Sequence, residues 1–212
     1  MSRRTLTVVS AGLSQPSSTR LLADQLAAAT RADLAERGMS VDVHAVELRD
    51  HAHDIMNHLL TGFPSAGLRT AIDAVAGADG LIAVTPIFNA SYSGLFKSFF
   101  DVIDGTALAD TPVLAAATGG TARHSLALEH ALRPMFTYLH AVVVPTAVFA
   151  ATEDWAGGTV DSSLRARVRR AARELADQMV RRDEREVADP FALTTTFEEL
   201  LSGREPALGL DQ

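Results

Sequence analysis

The chain has no cysteine. Disulfides, zinc–thiolate sites, iron–sulfur clusters and thiol redox chemistry are therefore excluded, and any redox work must fall to a bound organic cofactor. Long apolar runs are also missing. No stretch approaches the roughly 18 apolar residues of a membrane helix. Behind Arg3 and Arg4, the run Leu6 to Val9 is soon broken by Ser10, short of the about 7–15 residues of a secretory signal core. The expectation is a soluble cytoplasmic protein with no membrane role. Positive charge is in deficit, with 19 Lys and Arg against 26 Asp and Glu, a formal net charge of −7. Such a balance disfavours nucleic acid and anionic membranes as partners. It does not exclude an anionic cofactor, because local amides outweigh a distant global charge.

Several phosphate and nucleophile motifs are absent too. The loop from Ser10 to Arg20 lacks the second glycine and lysine of a P-loop, and it lacks GxGxxG. Gly12-Leu13-Ser14 fails the GxSxG elbow, since Pro16 stands where the last glycine belongs. Clustered aspartates after the first strand, as a receiver domain needs, are replaced by Ser10-Ala11-Gly12.

What is present is a chain of 212 residues, 47% apolar. That suits one domain with a sizeable core, expected over residues 1–182, followed by a charged tail with a short helix over 183–212. Apolar runs at Thr5–Ser10, Val41–Val46, Leu81–Thr85, Pro112–Ala117 and Ala141–Phe149 predict five strands. Helical patterns fall between them: from the cap candidates Ser17, Ser18 and Thr19 to about Arg37, then Leu68–Ala76, Ser93–Ile103, Arg123–Leu139 and Asp161–Arg182. Glu47 to about Ala66 reads as irregular. The alternation predicts an α/β fold, a doubly wound five-stranded parallel sheet with helices on both faces. In such sheets ligands bind beyond the carboxyl ends of the strands.

Three loops follow strand ends. Ser10 to Arg20 is rich in small residues and hydroxyls, so its backbone and the helix start can hold a phosphate, with Arg20 near. The alternative is an ordinary capped loop. Pro86-Ile87-Phe88-Asn89-Ala90-Ser91-Tyr92 offers apolar surface and amides suited to a flat heterocycle, or else packs Phe88 into the core. Thr118-Gly119-Gly120-Thr121 allows close approach to a ligand or simply turns the chain.

The stretch Pro86 to Asp101, PIFNASYSGLFKSFFD, resembles the signature of the NADPH-dependent FMN reductase family. There a proline-aromatic loop precedes serine, glycine, lysine and aspartate at this spacing, and the likeness spans about Leu6 to Phe149. The resemblance implies a flavodoxin-like fold that binds FMN and NADPH (or NADH). It assigns Ser10, Gln15, Ser17, Ser18 and Thr19 to the FMN phosphate. Pro86, Ile87, Phe88, Asn89 and Ser91 would line the ring and ribityl chain, and Thr118, Gly119, Gly120 and His124 would close the other side. Lys97 and Asp101 are implied to be structural, packing their helix against a neighbouring subunit. Phe88 stands where many members have tyrosine. An arginine within the serine cluster is missing, so hydroxyls and amides carry more of the phosphate, and FMN is then a loosely held substrate.

The implied reaction is hydride transfer from nicotinamide C4 to flavin N5, with no proton-transfer catalyst named among the side chains. Two other classes stay open: a quinone or azo-compound reductase with tightly bound FMN, and a non-enzymatic electron carrier. The resemblance also implies a homodimer or homotetramer, with Phe96, Phe99 and Phe100 as candidate interface residues, and a flavin-dependent monooxygenase as a partner. His51, His53 and His58 suggest metal only weakly, since no matching ligand set accompanies them; a lid or dimer contact is the alternative. The arginines from Arg165 to Arg173 surround an apolar stripe and read as a solvated face rather than a nucleic-acid surface.

Overall fold

The computed structural model describes residues 3–158 and 162–182. The expected tail from residue 183, with Phe191 and Phe197, lies outside the described residues. The chain opens with β1 (Arg3–Ser10), α1 (Ser18–Glu36) and β2 (Ser40–Glu47). Next come α2 (Ala52–Thr61), α3 (Ala66–Ala76), β3 (Gly80–Phe88), β4 (Ser91–Tyr92) and α4 (Gly94–Asp101). β5 (Pro112–Gly119), α5 (Arg133–Tyr138), β6 (Val142–Val143), β7 (Val148–Ala151) and α6 (Ser162–Arg181) complete the described fold.

The main sheet runs in the order β2-β1-β3-β5-β6, all parallel. Residues alternate between its faces, as the pleat requires. Leu6, Val8, Ile82, Val84, Leu114 and Ala116 pack with buried residues of α1 and α6. Val9, Leu81, Ala83, Val113 and Ala115 pack with those of α2, α3, α4 and α5. The doubly wound expectation holds, with seven strands in place of five. The expected strand Ala141–Phe149 is split: β6 pairs Pro112 and Val113, while β7 pairs Ala116 to Gly119. Pro145 stands in the gap without an N–H to donate, and Thr146 turns to Glu174, which accepts from its amide at 2.7 Å and its hydroxyl at 2.8 Å. The other added strand, β4, folds back antiparallel on β3.

Three further expectations change. Glu47 to Ala66 is ordered, forming a short 3-10 turn (Leu48–His51) and then α2, which ends at Gly62 with φ +78. The helix expected over Arg123–Leu139 is broken into a 3-10 turn (Ala122–His124), a π-helical turn (Leu128–Leu132) and α5. Pro134 accounts for the last break, because its ring displaces the carbonyl four residues back. The aromatic helix is α4, shorter than Ser93–Ile103, and its rings are not at the surface. Phe96 and Phe99 are fully buried and Phe100 nearly so. Phe100 lies 4.8 Å from Phe96 and 5.1 Å from Phe136, centroid to centroid. A short helix enclosed by the sheet and its neighbours buries every side except that of Lys97 and Asp101, which pair with each other.

Because Phe99 is a core residue of the single chain, Phe99→Ala is expected to cost about 3–5 kcal/mol of stability. Urea denaturation measures this, with no change of subunit number on size exclusion.

Candidate functional site

The strand order places a reversal between β1 and its two neighbours. The chain leaves β1 for β2 on one side and later fills β3 on the other. Loops at such a point diverge and leave a crevice. Here it is a cavity of about 420 Å³.

Its first wall is the loop after β1. Leu13, Ser14, Ser17, Ser18 and Thr19 line it. Ser17 is the N-cap of α1, its Oγ accepting from Arg20 N at 3.2 Å. Gly12 is required by that cap: a Cβ at this position would overlap Ser17 Oγ and stand 3.2 Å from Thr19 Cβ. The Leu21 amide donates to Ser17 O at 3.0 Å. The amides of Ser18 and Thr19 make no hydrogen bond among the described residues. No acidic residue occupies the first turn, so the positive end of the helix dipole faces the cavity uncompensated.

The second wall is the β3–β4 hairpin. Pro86, Ile87 and Phe88 line the cavity, so β3 continues through Pro86 rather than ending there. Asn89 and Ala90, with φ of 48 and 70, form a two-residue turn of the kind that matches strand twist. Thr85 Oγ1 accepts from Ser93 N at 3.0 Å and closes the base of the hairpin. The third wall is Thr118, Gly119 and Gly120. A Cβ on Gly119 would lie 2.8 Å from Phe149 Cζ, so its glycine serves close packing rather than a turn. Gly120 faces open space. Thr19 and Thr118 share a buried hydroxyl contact of 2.8 Å that ties the first wall to the third.

Five expected residues stand apart from the cavity lining. Asn89 is at the exposed apex of the hairpin, Ser91 lies in β4, and His124 is exposed in the 3-10 turn. Gln15 lies against Arg49 and, with its amide oxygen toward the guanidinium, accepts from Arg49 Nη1 at 2.8 Å. Ser10 lies beneath the loop, 2% exposed, and its Oγ has no hydrogen-bond partner among the described residues. Leu13, Ser14 and Thr152 were not foreseen. Thr152 follows β7, so the rule of strand ends that flagged the other loops would have found it.

The lining holds no titratable side chain. Arg20 is engaged elsewhere, by Glu47 and by Asp24. Their hydrogen bonds, Glu47 first, hold its guanidinium above the ordinary value against the opposing effect of burial. The arginine that follows the serines of this loop is thus already neutralised. What the loop offers an anion is neutral: two unbonded amides, serine hydroxyls and a helix end. This donor set fits a phosphate monoester. Among the described residues no three His, Asp or Glu side chains gather as a metal site.

The family model for NADPH-dependent FMN reductase matches residues 5–156. The chain belongs to this family. An FMN reductase (NADPH) of Pseudomonas aeruginosa is 41% identical over 171 residues, covering 79% of this chain and 88% of that protein. An NADH-dependent FMN reductase, SfnF, of Pseudomonas fluorescens is 40% identical with the same coverage. Among solved structures, an oxidoreductase of Corynebacterium diphtheriae superposes with a TM-score of 0.82 at 48% identity, over 85% of this chain and 99% of that one. A flavodoxin, WrbA-like protein of Agrobacterium tumefaciens, at 17% identity, TM-score 0.58 and coverage of 86% and 100%, shares the fold. The flavodoxin-like expectation is therefore met in this FMN reductase family member.

Ser17→Ala removes the cap of α1. It is expected to lower the unfolding free energy by about 0.5–2 kcal/mol in chemical denaturation.

Proposed function

We propose that the protein is an NAD(P)H-dependent FMN reductase. The observation that carries the reading is a cavity whose phosphate-fitting donors on α1 stand opposite an apolar hairpin wall. When bound, FMN supplies the hydride acceptor and NADPH or NADH the hydride. The amides of Ser18 and Thr19 and the hydroxyl of Ser18 hold the phosphate, beside Ser14, whose own hydroxyl donates to Pro16 O at 3.0 Å. Pro86, Ile87 and Phe88 cover one side of the ring system, and the backbone of Thr118, Gly119 and Gly120 faces the other. These residues bind and orient; none moves a proton.

The mouth is open, with Leu13 54% and Phe88 47% exposed. This supports FMN as an exchangeable substrate and delivery of reduced flavin to a separate flavin-dependent monooxygenase. An exposed apolar row on and just after α2, comprising Met56, Leu59, Leu60 and Phe63, supports a homo-oligomer joined through that face. No helix among the described residues is long and apolar enough to cross a membrane, and we read the site of action as cytoplasmic.

The decisive assay is NADPH or NADH oxidation at increasing FMN. Saturable dependence on added FMN by colourless protein is expected. Yellow protein that turns over only with a quinone or azo acceptor favours the prosthetic-flavin reading instead, and no turnover with either nucleotide removes the reductase reading. Ser18→Ala is expected to raise KM for FMN about 10- to 100-fold, since a hydrogen bond to a charged group contributes roughly 1.5–3 kcal/mol. The effect on riboflavin, which lacks the phosphate, should be small. For the oligomer, the double substitution Leu60→Asp with Phe63→Asp is expected to release monomers on size exclusion; unchanged elution would exclude this face.

A further inference from the structure

Beside the central cavity, on the far side of the Ser17–Ser18 wall, lies a second cleft of about 520 Å³. The two share Ser14, Ser17, Ser18, Gly119 and Thr152. The walls that the second cleft does not share are apolar: Pro16, Leu21, Ala150 and Trp155. Leu21 is 47% exposed in the first turn of α1, and Trp155 is half-buried. Trp155 packs against the core on the α1 and α6 face of the sheet, and its neighbour Asp154 is fixed by two hydrogen bonds. Asp154 Oδ2 accepts from Ala151 N at 2.7 Å, and Asp154 Oδ1 accepts from Arg167 Nη2 of α6 at 3.2 Å. A polar seam rich in hydroxyls and amides thus separates two limbs, one ending at the Pro86–Phe88 hairpin and the other at a held indole.

We propose that this second cleft is an adenine-nucleotide subsite, with the adenine stacked on Trp155 and its phosphate bridge on the Ser14–Ser18 seam. The proposal rests on the flavin reductase reading and extends it. A molecule with planar rings at both ends of a phosphate bridge matches the two limbs. One such molecule suits the reaction: a dinucleotide flavin such as FAD, whose ring system takes the limb assigned to that of FMN. Its adenosine phosphate half falls in the second cleft, whose volume lies within the range of about 300–1,000 Å³ typical of small-molecule sites. Stacking on an aromatic side chain tolerates the purine face without base-specific hydrogen bonds.

Trp155 is the only tryptophan of the chain, so its emission reports on this cleft alone. Titration of the full chain with 5′-AMP should change Trp155 emission saturably. In turnover, adenosine, which has no phosphate and leaves the Ser14–Ser18 seam to FMN, should compete with FAD and not with FMN. Trp155→Ala should raise KM for FAD about 5- to 100-fold relative to FMN, as expected for loss of one base–aromatic stack, and Trp155→Phe should restore most of it. Millimolar AMP that leaves the emission unchanged would overturn the subsite, as would adenosine that fails to compete with FAD or Trp155→Ala with unaltered KM for FAD. The two readings fail separately: AMP binding without NADPH–FMN turnover removes the reductase and keeps the cleft, and turnover without AMP binding does the reverse.

Discussion

Parallel pairing of the central strands is the constraint on which the rest of this molecule depends. Parallel neighbours cannot be joined by a hairpin, so each connection must cross a face of the sheet. All the carboxyl ends of β1, β3, β5 and β7 therefore lie along one edge. Four segments far apart in the chain, those that follow Ser10 and Ala151 and the strand ends Pro86–Phe88 and Thr118–Gly119, come side by side there. Because the winding reverses at β1, these loops part and leave a cavity instead of packing against one another. The faces of the sheet are filled by Leu, Val, Phe and Ala, so only its edge is left for polar chemistry.

At that edge the chain assembles an anion site from neutral groups. The global charge of −7 and the engagement of Arg20 by Glu47 and Asp24 leave no free cation among the lining residues. Amides at a helix start need none, since they are aligned by the helix and face the ligand without reorganisation. Neutral donors suit a ligand that must arrive and leave in each turnover, because a buried ion pair would be costly to separate. Gly12 and the Ser17 cap keep this helix end open, and the Thr19–Thr118 contact holds it at a set distance from the third wall.

Much of this was legible before the fold. Serines between an apolar run and a helix, a proline-aromatic loop after LIAVT, and a Thr-Gly-Gly after a buried run each marked a wall of the cavity. Expectation failed where a residue's meaning depended on its neighbours in space. The rings of Phe96, Phe99 and Phe100 suggest an interface when α4 is considered alone, since a helix so apolar needs cover on most sides; the cover comes from its own chain. Gln15 is within the phosphate loop by sequence yet turns to Arg49. His124 and Asn89 lie beside lining residues, but a turn of the backbone carries them away. Apolar residues of α2 were hidden in a segment whose three histidines drew attention from its helical spacing.

The amino-acid sequence by itself determined the alternation of buried strands and capped helices, and with it the parallel sheet, the edge at which a ligand binds and the family resemblance of Pro86 to Asp101. These are consequences of local patterns, because periodicity and capping act over three or four residues. Only the tertiary structure decided which hydroxyls of the serine and threonine cluster face the cavity, which arginine is neutralised, and that Trp155 stands across the seam from the hairpin. Those outcomes are contacts between distant segments, such as Thr19 with Thr118 at a separation of 99 residues. A hydroxyl or guanidinium has the same character in every sequence; which partner it meets is settled when the sheet brings the loops together.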